Sequence, residues 1–339
     1  MKAANAANAA NSVNAVPPTD LIDEVDVGGL KVATIRAALE LDVFTHIANG
    51  HDTVAAIAAA SACDEAGMAR LVNALLSLQA LEREDGRLRN SPAAAAYMVR
   101  GAEGDAIDIN LAWLRNRDHL VSTIRDGRVR AEPLTSAHWV SYARPELVRW
   151  SSRVGELSAA FADRGVCVSS GSAVLDVGCG SGLVGYSLIL DVPGARVTGI
   201  DAAPVLDVAR ALAQRMQIED RVRLVPGDHR SLDEHVEHSS IDVALLVNVA
   251  HYLTEGELLD ALRSIRTTMR PGGTLVVSSL VDDAGTPGYQ PNWTGAIEML
   301  LAAPGIALRS GEQVMERITS AGFDRVTQHR PWSFTAHVP

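Results

Sequence analysis

Apolar residues recur at two different periods along this chain, and the period changes near residue 172. From Asp23 to about Asp105 the spacing predicts helices. Val27, Leu30, Ile35, Ala38 and Leu39 fall at helical spacing, and Asn49-Gly50 closes the element that follows. Thr53 to Ala60 and Asp64 to Leu81 read as further helices, the second with an apolar stripe of Leu71, Leu75, Leu76 and Leu78. Leu81 to Asn90 then carries Asp85-Gly86 at its centre, the residue pair that a two-residue hairpin turn favours.

Helix, helix, helix, hairpin is the order of a winged-helix module. Reading DNA would require basic and amide side chains along the recognition helix, to reach phosphates and base edges. The candidate helix offers Arg70, Asn73 and Gln79 among acids and aliphatics. That face is therefore expected to pack against another subunit. Residues 106–165 read as a second helical stretch, dense in large polar and aromatic side chains. Trp113, Arg115, Asn116, Arg117, His119, His138, Trp139, Tyr142, Arg144 and Trp150 all fall within it. Two readings stand for these residues: core tryptophans with solvated arginines, or the wall of a pocket for a small polar molecule.

Beyond Ser172 the text alternates between strand and helix. Strand-like runs are Ala173–Val177, Arg196–Ile200, Arg221–Val225, Ile241–Asn248 and Thr274–Ser279, with helical runs Leu183–Leu190, Val205–Met216 and Glu255–Met269 between them. This rhythm predicts a parallel sheet covered on both faces. Thr254 with Glu257 forms a capping box, and Arg270-Pro271-Gly272-Gly273 stops the helix that it starts. After a helical segment around Gly311 to Ala321, Arg325–His329 and Ser333–Val338 lie close enough to pair as a hairpin at the end of the sheet.

Composition narrows the function classes. The 339 residues are 47% hydrophobic and 21% charged, enough to bury a core in two domains. The net charge of −11 repels a phosphate backbone, and no apolar run approaches a bilayer span, so neither nucleic acid nor a membrane is expected as a partner. Cys63, Cys167 and Cys179 form no CxxC pair and fit a reducing cytoplasm. The opening residues 1–18 repeat Ala and Asn up to Pro17-Pro18 and read as a disordered tail. His229, His235 and His238 lie near one another in a polar stretch and read as solvated, so no metal is expected.

The most informative stretch is Asp176-Val177-Gly178-Cys179-Gly180-Ser181-Gly182, where a buried strand breaks into glycines just before a helix. Its third glycine comes one residue too early for the dinucleotide pattern, and no Lys-Ser/Thr follows to make a P-loop. Asp-x-Gly-x-Gly-x-Gly after a first strand resembles motif I of the class I S-adenosylmethionine-dependent methyltransferases. Asp201 and Asp228 close the next two strands, where that family places further acids. The resemblance implies an S-adenosyl-L-methionine site built from Asp176, Gly178, Gly180, Gly182, Asp201, Asp228, His229 and Asn248. An acid after the second strand would take the ribose hydroxyls, and Asp228 the adenine amino group.

Leu246 to Leu253 with Met269-Arg270-Pro271-Gly272-Gly273 is similar to the small-molecule O-methyltransferases, which carry an N-terminal winged-helix dimerisation domain. The implied fold is α/β, a Rossmann-like methyltransferase domain with a mostly parallel seven-stranded sheet, preceded by an all-helical winged-helix-like dimerisation domain. The expected boundaries are a tail over 1–18, the dimerisation domain over 19–105, a helical linker and pocket wall over 106–165, and the catalytic domain over 166–339. In that family the residue matching His251 is the general base toward a hydroxyl. The chain departs from the pattern around it. Tyr252 stands where the family has Asp, and glutamates expected near Ser279 and Leu308 are missing, leaving Asp282 or Glu298 as substitutes.

A thioether acceptor, which loses no proton on methylation, would need no such base. A thioether acid such as 4-methylthio-2-hydroxybutyrate therefore stands beside a hydroxyl as the expected substrate. Trp113, Arg115, Asn116, Tyr142, Arg144, Trp293 and Met299 are the candidate substrate residues, with arginine for a carboxylate and aromatic faces for a developing cation. The rival of another class is a non-catalytic winged-helix regulator. A homodimer is expected, because the apolar helices of the first module would be exposed in a monomer.

Overall fold

The computed structural model describes residues 20–127, 134–281, 308–329 and 333–339. Two compact units emerge, residues 1–95 and 96–339.

In the first unit a long helix, Asp20–Glu40, precedes Val43–Ala48, Val54–Ala60 and Glu65–Ser77. Side-chain caps start two of these: the Thr53 hydroxyl accepts from the Ala56 amide, and the Asp64 carboxylate from Gly67 at 2.7 Å. Phe44, Ile57, Met68, Val72 and Leu75 are buried, and helices Val43–Ala48 and Glu65–Ser77 contact the hairpin of β1 (Leu81–Glu84) and β2 (Arg87–Asn90), whose Leu81 and Leu88 are buried too. Asp85 and Gly86 both have positive φ, at 48° and 80°, which makes the tight turn whose twist suits two antiparallel strands. The unit is thus helical except for its predicted wing.

The second unit opens with helices Ile107–Arg117, Leu120–Asp126, Ser136–Ala143 and Glu146–Asp163. A sheet follows, built from β3 (Ala173–Val177), β4 (Arg196–Asp201), β5 (Val222–Pro226), β6 (Ile241–Val247), β7 (Met269–Ser278), β8 (Asp324–His329) and β9 (Ser333–His337). Its order is β5-β4-β3-β6-β7-β9-β8, parallel except for β9, which runs antiparallel to both neighbours.

Alternate residues of the central strands supply two separate cores. Leu175, Val177, Ala244 and Leu246 pack with helices Glu255–Thr268 and Gly311–Ser320, while Val174, Val243 and Leu245 pack with Leu183–Ile189 and Ala203–Arg215. Burial on both faces explains why these strands read as unbroken apolar runs. The capping box is present, with Thr254 N–H donating to Glu257 at 2.9 Å and Glu257 N–H donating back to the Thr254 hydroxyl at 3.3 Å. One boundary differs from expectation: β7 begins at Met269 instead of Thr274. Met269 already pairs with Ile241, and the ladder resumes at Val243 with Thr274, so the Arg-Pro-Gly-Gly run bulges out between two paired residues.

Candidate active site at the carboxyl edge of the sheet

β3 and β6 pair side by side while their connections leave in opposite directions, and this switch point opens a crevice at their carboxyl ends. The glycine loop lies there. Gly178, Gly180 and Gly182 all have positive φ, at 71°, 56° and 81°. The three serve different ends. A side chain at Gly182 would collide with the Tyr186 ring, and one at Gly178 with Val249, whereas a Cβ at Gly180 would meet open space.

Two carboxylates hold the loop and the helix that follows it. Asp201 closes β4 and accepts from Gly180 N–H at 2.8 Å with one oxygen and from Ala202 N–H at 2.7 Å with the other. Asp176 is buried beneath and accepts from Gly185 N–H at 3.2 Å. Burial pushes its carboxyl up to about 7, opposed by the Gly185 bond and reinforced by neighbouring Asp201. Burial also raises Asp201, although its two backbone bonds pull the other way. The Cys179 thiol is buried in the same loop, and burial next to these acids holds it protonated well above its ordinary range.

A cavity of about 410 Å³ brings Asp176, Gly178, Gly180, Asp201 and Asn248 together. Asn248 sits at the end of β6 with φ 58° and donates its backbone N–H to Ser278. The opposite wall comes from the helical region: Trp139 and Tyr142, then Glu146, Arg149 and Arg153. One Glu146 oxygen accepts from Arg149 at 2.7 Å and Arg153 at 2.5 Å, while the other is buried without a partner. Trp139 meets both Tyr142 and Tyr252 edge-on, at 6.0 and 5.3 Å between ring centres. Sequence reasoning passed over Glu146, Arg149 and Arg153, although a charged i, i+3, i+7 set on one helix face was the available signal.

The remaining predicted residues fall elsewhere. Gly182 caps the helix after the loop and does not line the cavity, nor do Asp228 and His229. Asp228 is gripped through both oxygens by Arg230, and that bond holds its carboxyl below the usual range. Trp113 stands edge-on to Tyr142 and lines a second cavity of about 310 Å³ that shares Tyr142 and Arg149 with the first. Arg115 and Asn116 line a third, of about 450 Å³, with Arg100, Asp108, His119 and His138. The Asn116 amide nitrogen is buried there without a partner. Arg144 is taken up by the backbone, donating to the carbonyls of Ala102 and Glu103. Trp293 and Met299, like Asp282 and Glu298, lie outside the described residues.

His251 sits in a 3-10 turn, Ala250–Tyr252, and is 5% exposed. Its ring leans on Tyr252 at 4.5 Å, and its Nδ1 accepts from the Leu280 amide at 3.3 Å. Burial, then the Arg309 charge, lowers its pKa to about 4. Ser279 is buried, and its hydroxyl donates to the Leu280 carbonyl.

A mostly parallel sheet with a glycine loop, acids that bind the loop and its helix, and an antiparallel terminal hairpin defines a Rossmann-like methyltransferase fold. Comparison with known proteins makes this specific. Residues 174–273 match the methyltransferase domain family and residues 28–100 the O-methyltransferase dimerisation domain. The chain belongs to the methyltransferases that join these two domains. Mouse acetylserotonin O-methyltransferase is 28% identical over 334 residues, covering 90% of this chain and 83% of that enzyme. Mitomycin biosynthesis 6-O-methyltransferase of Streptomyces lavendulae is 24% identical, covering 78% of each chain. Human N-acetylserotonin methyltransferase, solved in complex with SAM, shares the fold with a TM-score of 0.70 at 21% identity, covering 96% of this chain and 99% of that one.

Proposed function

We propose that this enzyme transfers a methyl group from S-adenosylmethionine to a heteroatom of a small, carboxylate-bearing molecule, and that it works as a homodimer. The observation that carries the reading is the cavity in which Asp201, the Gly178–Gly180 loop and Asn248 face Glu146, Arg149 and Arg153. When bound, the cofactor supplies an electrophilic methyl group on a sulfonium. The chain's own groups fit the rest of that molecule. Asp201 keeps a spare lone pair on each oxygen for the ribose hydroxyls, and the bare Gly180 lets the backbone approach. The unpartnered Glu146 oxygen suits an α-ammonium group, and Arg149 and Arg153 suit an α-carboxylate. Trp139 and Tyr142 exclude water and give aromatic faces toward positive charge.

The carboxylate in the acceptor is inferred from the third cavity, lined by Arg115, His119, His138, the unpartnered amide nitrogen of Asn116, and Arg100, which is paired with Asp108 at 3.0 Å. A thioether acid is the second reading. It is favoured because the positions expected to hold glutamates carry a buried serine, Ser279, and Leu308. The dimer is inferred from the matched dimerisation domain and from the exposed apolar side chains of helix Asp20–Glu40. Among the described residues no helix is long and apolar enough to cross a membrane.

The test has two stages. Calorimetry should show S-adenosylmethionine binding, weakened ~10- to 100-fold by Glu146→Gln or Asp201→Asn, the worth of one charge-assisted bond. Mass spectrometry of phenols, hydroxy acids and thioether acids incubated with methyl-labelled cofactor should then show label in an acid. Wild-type protein that binds no cofactor would refute the reading at its root.

A further inference from the structure

By resemblance His251 matches a proton acceptor; it lines none of the three cavities itself but adjoins Tyr252, which lines the first, and among the described residues its surroundings oppose that role. Its Nδ1 lone pair accepts the Leu280 amide, so the neutral ring carries its proton on Nε2. Capturing a second proton would place an imidazolium inside a buried turn. The neighbouring charge has the wrong sign to help. Arg309, 5% exposed, donates to the carbonyls of Ala250 and Leu253, which bracket His251 and Tyr252, and its Nε donates to Glu255 at 2.6 Å. Glu255 spends its second oxygen on Arg317 at 2.7 Å, so its charge is shared between two guanidinium groups. Among the described residues the ionisable groups around the turn are therefore Tyr252 from the turn itself, Glu255 from the following helix, and Arg309 and Arg317 from the segment entering and forming Gly311–Ser320. From β7 and its extension come only the Ser279 hydroxyl and the Leu280 amide.

We propose that His251 is held as a neutral Nε2–H donor, with Arg309 as the positioning residue that fixes its turn and keeps it uncharged, and that the methyl acceptor presents a nucleophile with no proton to lose. The inference rests on the methyl-transfer reading above. A lone pair on the acceptor atom forms the new bond to the methyl carbon while the carbon–sulfur bond of the donor breaks and its electron pair returns to sulfur. A carboxylate oxygen ends as a neutral ester, and a thioether sulfur ends as a sulfonium. In neither case does a proton leave at this step, so His251 need only donate a hydrogen bond. The shared chemistry is an unprotonated lone pair, and mass spectrometry separates the sources, a neutral ester from a fixed cation; a methyl ether, whose hydroxyl must first lose its proton, would overturn the proposal.

The decisive measurement needs no acceptor. Nitrogen-15 NMR of the full chain labelled at histidine, with the His251→Gln spectrum assigning the resonance, reports tautomer and charge directly. We expect Nε2–H with no titration from about pH 5.5 to 8.5, the span in which a free imidazole would change charge. Arg309→Met should raise the His251 midpoint part of the way, since burial remains, whereas Arg309→Lys, which keeps the charge, should leave it unchanged. A merely structural arginine would produce no such split. An Nδ1–H tautomer, or a wild-type midpoint near 6.5, would overturn the proposal, and the wild-type spectrum alone decides if the methionine variant does not fold. Cofactor binding by calorimetry is read separately, so a failed methyltransferase reading and a failed His251 assignment look different.

Discussion

Asp176 and His251 are both buried, and they couple stability to pH in opposite directions. The folded state holds a proton on Asp176 up to about pH 7, whereas a free carboxyl releases it near 4. That contribution is complete at low pH and fades as pH rises through 4 to 7. Asp176→Asn should therefore gain more thermal stability over wild type at pH 8 than at pH 5, while binding S-adenosylmethionine less tightly. An equal gap at both pH values would show that the carboxyl does not titrate with folding. His251 is depressed from 6.5 to about 4, so its contribution is present above 6.5 and lost as pH falls. Denaturation curves between pH 6.5 and 4 should flatten in His251→Gln. Asp176 and Asp201 were legible in the sequence because each lies at the carboxyl end of an apolar strand, where direction is fixed. The ring around His251 was not, since Arg309 follows it by 58 positions and only folding brings them together.

Within the glycine loop, residues of one type answer to different constraints. Gly182→Ala would drive a Cβ into the Tyr186 ring in a left-handed backbone, where a side chain is already strained. Chemical denaturation should show a loss of ~2 kcal/mol or more, or no folded protein. Gly180→Ala meets nothing, so it should cost only about 1 kcal/mol of backbone strain. Its methyl would instead project where the cofactor approaches, and calorimetry should record the larger effect in binding. If the alanine at 180 destabilised the fold more than the one at 182, this division of labour would be wrong. Strands and helices of the sheet were readable because alternate residues feed two cores, which leaves long apolar runs between glycine breaks. The start of β7 was not readable, because pairing across a bulge depends on the register of β6.

At the scale of the molecule, helix Asp20–Glu40 exposes Ile22, Val25, Val27, Leu30 and Val32, with Leu30 at 70% exposure. Apolar surface of this kind on one helix calls for a partner face. Sedimentation should give a dimer for the full chain and a smaller species for the Val25→Asp, Leu30→Asp double variant; a dimer that ignores both charges would place the interface elsewhere. The dimerisation domain was legible because its helices and hairpin are local in sequence. The wall formed by Glu146, Arg149 and Arg153 was not, because an amphipathic helix looks the same whether it faces solvent or a cavity.

Cysteine distribution gives the enzyme a built-in footprinting probe. Cys167 is exposed and Cys179 buried within the cavity-lining loop. With a thiol-specific alkylating reagent, Cys167 should react at once whatever else is bound. Cys179 can react only when the loop opens, so its labelling lifetime measures loop opening directly. S-adenosylmethionine, by closing over the glycines, should lengthen that lifetime in proportion to its occupancy, and peptide mass mapping could then follow cofactor residence without any knowledge of the second substrate.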